Sequence, residues 1–433
     1  MNNWKKVKLG SILTESKIEA VESNADSRIR VLLNTNGVIK RPLTKETKGA
    51  TKYYKRSEGQ FIYGKQNLHK GAFGIIPKEL DGFTSSSDLP AFDVDKSCLP
   101  EWLDYFLKQG DFYLSLIDIA KGAATKRIQP KALFEVEIPL PDTTQEQQEI
   151  IEGFKNKERY NELLNSEIQT QKQLVSQLKQ AILQEAIQGK LTSDWRASHP
   201  ELVKGSHAAE ALLKHIKAEK EQLIKDKKIR KEKPLPPITE AEIPFEIPES
   251  WSWCRFKDIV HYRKGKKPSP LLKEKSEKYN IPYIDIEAFE KNIIKRYTND
   301  PKAVIGNDKN ILLVWDGSRM GLIGRGKAGA VGSTLVKISL IDNNYDFIYF
   351  LLKSKFKLFN NNPKQAGLPH MNGPMLDSML VALPPLEEQK AIVEKVETLL
   401  QKCKALEQEI TQSEQHANML MQAVLKEAFE RKT

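Results

Sequence analysis

A glycine-rich stretch, GLIGRGKA at 321–328, comes closest in this sequence to a known chemical site. A phosphate-binding loop ends in Lys followed by Ser or Thr, because that hydroxyl group helps to hold magnesium. Here Lys327 is followed by Ala328, so the hydroxyl group is missing. The spacing therefore argues against a nucleoside triphosphate site.

The same stretch satisfies the GxGxxG spacing of dinucleotide-binding folds, at Gly324, Gly326 and Gly329. That motif works where a helix follows, because the helix N-terminus receives the pyrophosphate. Here the run that follows, Thr334–Ile338, is strand-like. We therefore expect a glycine-rich hairpin that approaches a surface closely and whose cations suit phosphates or guanine edges. Those cations are Arg319, Arg325 and Lys327.

Other catalytic and metal-binding patterns are missing from the sequence. Cys98, Cys254 and Cys403 lie far apart and form no CxxC pair, and the seven histidines include no HExxH. This predicts neither a disulfide framework nor a zinc cluster. The Asp/Asn-Pro-Pro-Tyr segment of amino-methyltransferases and a helicase phosphate loop are also missing. We expect no catalysis by this chain alone.

Composition points to an anionic partner. The 433 residues include 68 Lys and Arg against 57 Asp and Glu, a formal charge of +11, and 39% are hydrophobic. This length and hydrophobic content predict two or three domains, and the charge makes nucleic acid the first candidate partner. No apolar run approaches the roughly 20 residues of a membrane span, and no signal peptide is visible at the start. We expect a cytoplasmic protein.

The elements that must position these residues occur twice. The run LKQAILQEAI at 178–187 matches LMQAVLKEAF at 420–429, and the same offset aligns 146–151 with 388–393. Near the start of each copy, WKKVKLGSI at 4–12 resembles WSWCRFKDI at 251–259. The period is too long for a solenoid repeat. It predicts a duplicated domain plus helix, with approximate two-fold symmetry.

Each copy is predicted to end in a long helix with an apolar seam, because apolar residues recur at steps of three and four. Thr144 and Gln147 have capping-box spacing at the start of the first helix. The simplest pairing is an antiparallel coiled coil within the chain, and the alternative is pairing with other chains. The predicted seam comprises Phe154, Leu164, Ile168, Val175, Leu178, Ile182, Val396, Leu399, Leu406, Ile410, Leu420 and Val424.

A charged connector separates the copies. Residues 208–231 have a helical pattern, and 211–233 contain nine Lys or Arg against four acidic residues. The prolines of 234–248 predict a semi-rigid extended linker. The basic run is consistent with contact to DNA phosphates, although a solvated helix face is the simpler interpretation.

The globular parts mix strand-like and helical patterns, so the fold class is predicted as mixed α/β (α+β). Strands are expected at 311–315 and 334–338, and helices at 100–116 and 346–359. The predicted domains are 1–141, a first long helix at 142–190, a connector at 191–250, a second domain at 251–385 and a second long helix at 386–433.

Taken together, the chain resembles the DNA-specificity subunit of a type I restriction–modification system. The resemblance covers nearly the whole length, and the duplicated order of its parts is its most specific feature. It is carried by Trp4–Ile12, Glu135–Thr144, Pro234–Trp253, Trp251–Ile259, Leu312–Ile338 and Leu380–Gln389.

The resemblance implies that 1–141 and 251–385 are target recognition domains, each reading one half of a split, asymmetric site in double-stranded DNA. It implies that the paired helices separate these domains and bind two methyltransferase subunits, which recruit translocase–nuclease (restriction) subunits. It also implies a non-catalytic chain, with S-adenosylmethionine, ATP and Mg²⁺ bound by the partner subunits. No membrane association is implied.

Residues that read DNA should be cations for phosphates and polar side chains that form hydrogen bonds with base edges. In the first domain the candidates are Lys65, Gln66, Asn67, His69, Lys70, Thr84, Ser85, Lys121, Thr125, Lys126 and Arg127. In the second domain they are Arg263, Lys264, Lys266, Lys267, Arg319, Arg325, Lys327, His370 and Asn372. Residues 364–372 are expected to occupy the place of 121–128.

Three alternatives stay open at this stage. A nucleic-acid-binding scaffold without sequence specificity explains the charge and the helices, but not why the two globular copies differ while their helices match. An enzyme with a nucleotide site at 321–328 is disfavoured by Ala328. A subunit that lends its recognition domains to another system's methyltransferase is the third.

Overall fold

The computed structural model describes residues 4–20, 25–42, 52–109, 112–122, 125–231, 233–361 and 369–430, with the side chains of 421–422 and 424–430 left out. The chain divides into two compact units, one formed by 1–171 with 409–433 and the other by 172–408. Each unit therefore contains one globular domain and one part of each long helix. Among the described residues, no helix is long and apolar enough to span a membrane.

The first domain is built around the buried run Phe61–Tyr63, a pattern typical of a strand covered on both faces. Its strands are β1 (Lys5–Lys8), β2 (Leu13–Ser16), β3 (Ile29–Val31), β4 (Val38–Lys40), β5 (Tyr53–Lys55), β6 (Phe61–Tyr63), β7 (Phe73–Ile75), β8 (Thr84–Ser86), β9 (Ala91–Val94) and β10 (Glu137–Leu140). Its helices are α1 (Leu9–Ile12), α2 (Pro100–Lys108), α3 (Phe112–Ser115) and α4 (Pro130–Leu133). Trp102 of α2 is fully buried in the same core as Phe61, Phe73 and Phe92.

In the sequence, the first domain is followed by the first long helix, α5 (Thr144–Ile187), and by the connector helices α6 (Ser193–Ser198) and α7 (Ala209–Lys225). Gly189 ends α5 with a left-handed φ of 74°, and a Cβ there would lie 2.9 Å from the ring of Pro248. Glycine is favoured there on both counts, as expected for a helix end. The helix predicted over 208–231 ends at Lys225, because Lys227 adopts a left-handed φ of 56°.

The second domain contains strands β11 (Ser252–Arg255), β12 (Val260–Lys264), β13 (Ile281–Ile284), β14 (Tyr297–Thr298), β15 (Ile305–Gly306), β16 (Asn310–Val314), β17 (Ile323–Arg325), β18 (Gly329–Val331), β19 (Leu335–Leu340) and β20 (Leu380–Leu383). Its helices are α8 (Phe256–Ile259), α9 (Ile286–Lys291), α10 (Tyr345–Ser354), α11 (Phe356–Asn361) and α12 (Gly373–Ser378), followed by the long helix α13 (Leu386–Glu430). The helix predicted over 346–359 is broken at Lys355.

The duplication is confirmed by the sheet topology. The first domain has a four-stranded sheet in the order β2-β9-β6-β7, and the second has one in the order β12-β19-β16-β17. In each domain the first strand pairs antiparallel with the last, Val7 opposite Ile138 in β1–β10 and Cys254 opposite Val381 in β11–β20. A second sheet, β14-β13-β18-β15, belongs to the second domain.

Equivalent hydrogen bonds join each domain to its long helix. Trp4 Nε1 donates to Glu146 Oε1 at 3.0 Å, and Trp251 Nε1 donates to Glu388 Oε2 at 2.9 Å. These bonds account for the repeated tryptophan at the opening of each copy.

Buried glutamines make a second equivalent contact at these junctions. The side-chain oxygen of Gln147 accepts from the backbone N–H of Leu99 at 2.7 Å, and that of Gln389 accepts from Asn344 at 3.0 Å. The capping box predicted for Thr144 and Gln147 is therefore wrong. Gln147 faces the domain because it is buried, and the side chain that accepts from the first turn is Thr143, from the N–H of Glu146.

The long helices pack antiparallel in the second unit. Lys179 Nζ lies 2.6 Å from Glu407 Oε2, while Thr192, just beyond α5, donates to Glu388 at the start of α13. The buried apolar side chains of the two helices in this unit are Val175, Ile182, Leu183, Ala186, Ile187, Ile392, Val396 and Cys403. In the first unit Ile168, Ile410 and Ala417 are buried in the same helices. Phe154, predicted as a seam residue, is instead buried in the core of the first domain, with its ring centroid 5.0 Å from that of Tyr105.

The predicted seam is correct in part. Leu164, Leu178, Leu406 and Leu420 are more than two-fifths exposed, so they lie outside the buried stripe. Leu399 is half-buried, and the side chain of Val424 lies outside the described residues. The seam of α5 passes one residue later, through half-buried Asn165, Lys172 and Lys179.

The proline-rich connector is held against the second domain. Arg255, which is buried, donates to both carboxylate oxygens of Glu242, at 2.9 and 3.2 Å. It also donates to the carbonyl groups of Pro236 and Ser378. The segment predicted as a semi-rigid spacer is therefore fixed at two points by one guanidinium group.

Candidate nucleic-acid interface

Most of the predicted DNA-reading residues of the first domain lie in one composite site. The loop between β6 and β7 carries Lys65 to Lys70. The segment 125–128 lies against this loop, because Ile128 N donates to Lys65 O at 2.8 Å and Tyr63 Oη donates to Ile128 O at 3.0 Å. Two stretches far apart in sequence are thereby brought together at the end of β6.

The side chains of this first site are accessible to different extents. Lys70, Lys121, Thr125 and Lys126 are exposed, and Lys65, Gln66, Asn67, His69 and Arg127 are half-buried. Arg127 Nη1 lies 3.2 Å from Asp88 Oδ1, in an exposed ion pair. Such a pair contributes about 0–1 kcal/mol, so its guanidinium group can exchange Asp88 for a phosphate at low cost.

The surroundings of His69 disfavour its charged form. Burial, followed by the charges of Lys70 and Lys126, lowers the pKa of this imidazole below its usual value. Its Nδ1 is buried and has no hydrogen-bond partner among the described residues.

Thr84 and Ser85 do not belong to this surface. Both are buried, and Ser85 Oγ accepts from Arg56 Nε at 2.8 Å and donates to Leu89 O at 2.6 Å. Arg56 also donates to Ser16 O at 2.8 Å, and burial lowers its pKa to about 10. Thr84 Oγ1 donates to Ser27 O at 3.2 Å. Both hydroxyl groups are therefore buried and bonded within the protein, which corrects their prediction as DNA readers.

The second domain has an equivalent composite site. The loop between β16 and β17 is joined by 369–372, where Gly317 N donates to Pro369 O at 2.9 Å and Met371 N donates to Trp315 O at 2.8 Å. The segment therefore holds the position that 125–128 holds in the first domain. Residues 362–368 of the predicted equivalence lie outside the described residues.

His370 and Lys264 share one carboxylate in this second site. His370 Nδ1 lies 2.6 Å from Asp316 Oδ1, and Lys264 Nζ lies 2.6 Å from Asp316 Oδ2. The strand end that carries Lys264 also presents Arg263, Lys266 and Lys267, and all four side chains are exposed. Asn372 accepts from Met375 N and so caps α12.

The glycine-rich stretch is not a hairpin. β17 pairs with β16, whereas β18 pairs with β13 and β15, so the stretch crosses from one sheet to another. A Cβ on Gly326 would lie 2.0 Å from Asn307 O, which shows that this glycine permits backbone packing within the domain.

The cations of this stretch are engaged with protein groups. Lys327 Nζ donates to Ala288 O at 2.6 Å and Phe289 O at 2.8 Å, near the end of α9. This satisfies free carbonyl groups of that helix and argues against the prediction of Lys327 as a DNA contact. Arg319 pairs with Glu290, and Arg325 pairs with Asp346 at 2.6 Å while lying over the ring of Tyr349.

Sequence reasoning missed Asp316 and the junction residues Glu146, Glu388 and Gln389. The junction residues fall within the repeated segments, so their recurrence in both copies could have indicated a shared structural role. Asp316 follows a buried strand in the sequence Trp-Asp-Gly, but its pairing with His370 depends on tertiary structure. Within the described ranges, no group of three or more His, Cys, Asp or Glu side chains could hold a metal ion.

A protein-family model matches more than half of the chain. The model described as the type I restriction modification DNA specificity domain matches residues 1–173 and 248–413. The two matched regions each contain one domain and the adjoining part of a long helix.

Two curated relatives are similar to parts of the chain. The type I restriction enzyme MjaVIII specificity subunit of Methanocaldococcus jannaschii is 36% identical over 149 residues, which are 34% of this chain and 35% of that protein. The EcoAI specificity subunit of Escherichia coli is 30% identical over 252 residues, 54% of this chain and 41% of that protein. The chain thus spans less than half the length of these relatives.

Solved structures share the fold. The HsdS subunit from Thermoanaerobacter tengcongensis aligns with a TM-score of 0.54 and 17% identity, covering 100% of this chain and 97% of the other. A chain from a study of complex assembly and conformational transition of the type I R-M system aligns with a TM-score of 0.63 and 16% identity, covering 100% and 98%.

Proposed function

We propose that this chain, which belongs to the type I restriction modification DNA specificity domain family, recognises a split, asymmetric sequence in double-stranded DNA. Each of its two domains reads one half of the site. The composite loop sites of the two domains are the reading surfaces.

One observation carries this proposal. The two domains share a sheet order and their junction hydrogen bonds, yet the loops at equivalent positions carry different side chains. The first site offers Lys65, Gln66 and Lys126, while the second offers Lys264 and the His370–Asp316 pair. Equal scaffolds with unequal loops suit an asymmetric target, because the scaffold sets the geometry and the loops select the bases.

The partner subunits supply the chemistry in this proposal. The paired helices bind two methyltransferase subunits, through which restriction subunits join the complex. S-adenosylmethionine, ATP and Mg²⁺ then belong to those partners, and this chain acts as a non-catalytic subunit of an adenine methyltransferase and ATP-dependent endonuclease.

A binding selection tests the proposal. The chain is purified together with the type I methyltransferase subunit from the same genome and mixed with a randomised DNA duplex library. The methyltransferase alone serves as the control. Recovered DNA should contain two separate blocks of fixed bases with a constant gap. Recovery of DNA without any shared bases would instead support a scaffold that lacks sequence specificity.

A further inference from the structure

We infer that His370 reads an exocyclic amino group of adenine or cytosine in the half-site of the second domain, and that Asp316 is its positioning residue. This inference rests on the proposed function. It adds the protein atom that contacts the base and the chemical group of the base that this atom recognises.

The first step concerns the proton on the imidazole ring. His370 Nδ1 lies 2.6 Å from Asp316 Oδ1, and the other carboxylate oxygen accepts from Lys264 Nζ at 2.6 Å. An ionised carboxylate only accepts hydrogen bonds, so Nδ1 carries the proton. Whenever the ring is neutral, Asp316 therefore selects the tautomer in which Nε2 is the acceptor.

The second step concerns the accessibility of Nε2. The His370 side chain is 41% exposed, against 18% for that of Asp316. Nε2 has no hydrogen-bond partner among the described residues and is not among their buried unpartnered atoms. The ring therefore turns its bonded nitrogen toward the protein and presents its acceptor nitrogen to a ligand.

The third step concerns rigidity. Asp316 and His370 face each other across an antiparallel bridge, which the bonds Gly317 N to Pro369 O and Met371 N to Trp315 O close on either side. Two residues further on, the Asn372 side chain caps α12 and fixes the end of the segment. The ring is thus supported through both its side chain and its backbone, as a preorganised recognition group requires.

The fourth step identifies the group that is read. In the major groove, the amino groups of adenine N6 and cytosine N4 are the donors that a side-chain acceptor can reach. The exposed side chains of Arg263, Lys264, Lys266 and Lys267 lie at and just beyond the end of β12, which Lys264 joins to Asp316, and they suit the phosphates that flank such a base. A group of cationic side chains beside one hydrogen-bond acceptor fits DNA in which a base presents a hydrogen-bond donor.

Two substitutions separate the reading atom from the positioning bond. His370→Gln keeps an acceptor oxygen near the place of Nε2, whereas His370→Asn keeps a donor for Asp316 but has no acceptor that reaches as far. His207→Asn, at an exposed histidine of the connector, is the matched control. Each variant is assembled with the methyltransferase subunit, and its thermal unfolding is compared with that of the wild type.

The measurement is affinity for the selected duplex and for duplexes that lack one amino group, with purine replacing adenine or 2-pyrimidinone replacing cytosine at each position in turn. At one position of one half-site, we expect amino-group removal to weaken wild-type binding about 3- to 10-fold. His370→Asn should weaken binding to the unmodified duplex by a similar factor and be insensitive to that removal. His370→Gln and His207→Asn should behave as wild type.

The outcomes separate this inference from the proposed function. If the wild-type complex selects no split site, the proposed function itself fails. If it selects one and His370→Asn binds every duplex as wild type does, the inference is overturned. Equal losses in His370→Asn and His370→Gln, without any position-specific effect, would also overturn it and leave His370 a structural role.

Discussion

At the scale of single residues, polar side chains near the composite sites differ in whether they form hydrogen bonds within the protein or are exposed. Ser85 and Lys327 satisfy protein groups, Arg56 Nε in one case and the carbonyl groups at the end of α9 in the other. Lys70 and Lys126 are exposed instead. A buried polar group that loses its partner costs far more free energy than an exposed one. Substitutions in the two classes should therefore have different consequences.

Ser85→Ala should lower the free energy of unfolding by about 1–3 kcal/mol, because it leaves the buried Arg56 Nε without a partner. Ser87→Ala, at an exposed residue two positions away, should change that free energy by no more than about 0.5 kcal/mol. Urea unfolding of both variants makes the comparison. Unchanged stability of Ser85→Ala, together with weakened DNA binding, would restore Ser85 as a reader.

Residue types and approximate positions of the first site were predictable, because loops rich in Lys, Asn and Gln between strand-like runs are visible in the sequence. Burial was not. The sequence of β8 gives Thr84 and Ser85 as hydroxyl residues, but only the approach of Arg56 shows that they face the core. The contacts of Lys327 were not predictable for the same reason, since the end of α9 reaches it through tertiary structure.

At the scale of elements, the long helices show where periodicity succeeds and where it fails. Stepping by seven from Phe154 correctly predicts the buried Ile168, Val175 and Ile182. The prediction fails at the positions between these steps. Leu164 and Leu178 are apolar, but each lies one residue before the seam, and the half-buried side chains there are those of Asn165 and Lys179. Hydrophobicity alone cannot reveal this shift.

A pair of substitutions in α5 tests the position of the seam. Ile182→Ala should lower the free energy of unfolding by about 2–5 kcal/mol, because it removes buried methyl groups and leaves a cavity. Leu178→Ala, at a side chain that is 45% exposed, should change it by about 0.5 kcal/mol or less. Equal losses for the two variants in chemical denaturation would contradict the observed seam.

The connector offers a test of pH dependence. The hydrogen bond from Arg255, with the backbone N–H of Thr239, lowers the pKa of Glu242 from 4.5 to about 2. Because the folded-state pKa is depressed, this carboxylate contributes stability that is complete above pH 4.5 and is lost as the pH falls toward about 2.

Glu242→Gln should therefore be less stable than wild type by a constant amount above pH 4.5, and the difference should shrink as the pH falls below that value. Glu240→Gln, two residues earlier and exposed, is the matched control. Urea unfolding across this pH range measures both. A difference between wild type and Glu242→Gln that does not vary with pH would show that the Arg255 contact does not depend on the charge of Glu242.

At the scale of the whole molecule, duplication is the property that the sequence reveals most completely. Equal sheet orders and equal junction bonds in the two copies follow from segments that repeat about 242 residues apart. The composite sites were only partly predictable, because segments such as 125–128 reach their loops through hydrogen bonds between residues distant in sequence.

Duplication also predicts modular specificity. The double substitution Lys126→Ala with Arg127→Ala removes two cations from the first composite site and leaves the second domain unchanged. In the binding selection, it should weaken or relax one block of fixed bases and preserve the other block and the gap. Equal relaxation of both blocks would contradict the assignment of one half-site to each domain.

The central claim is that this chain directs a methyltransferase to a split DNA sequence. Modified-base sequencing of DNA from cells that express the chain with its methyltransferase, compared with cells that express the methyltransferase alone, tests it most directly. We predict adenine methylation confined to one asymmetric, two-part motif and found only when this chain is present. Identical methylation in the two cultures, with both proteins present and associated, would contradict the claim.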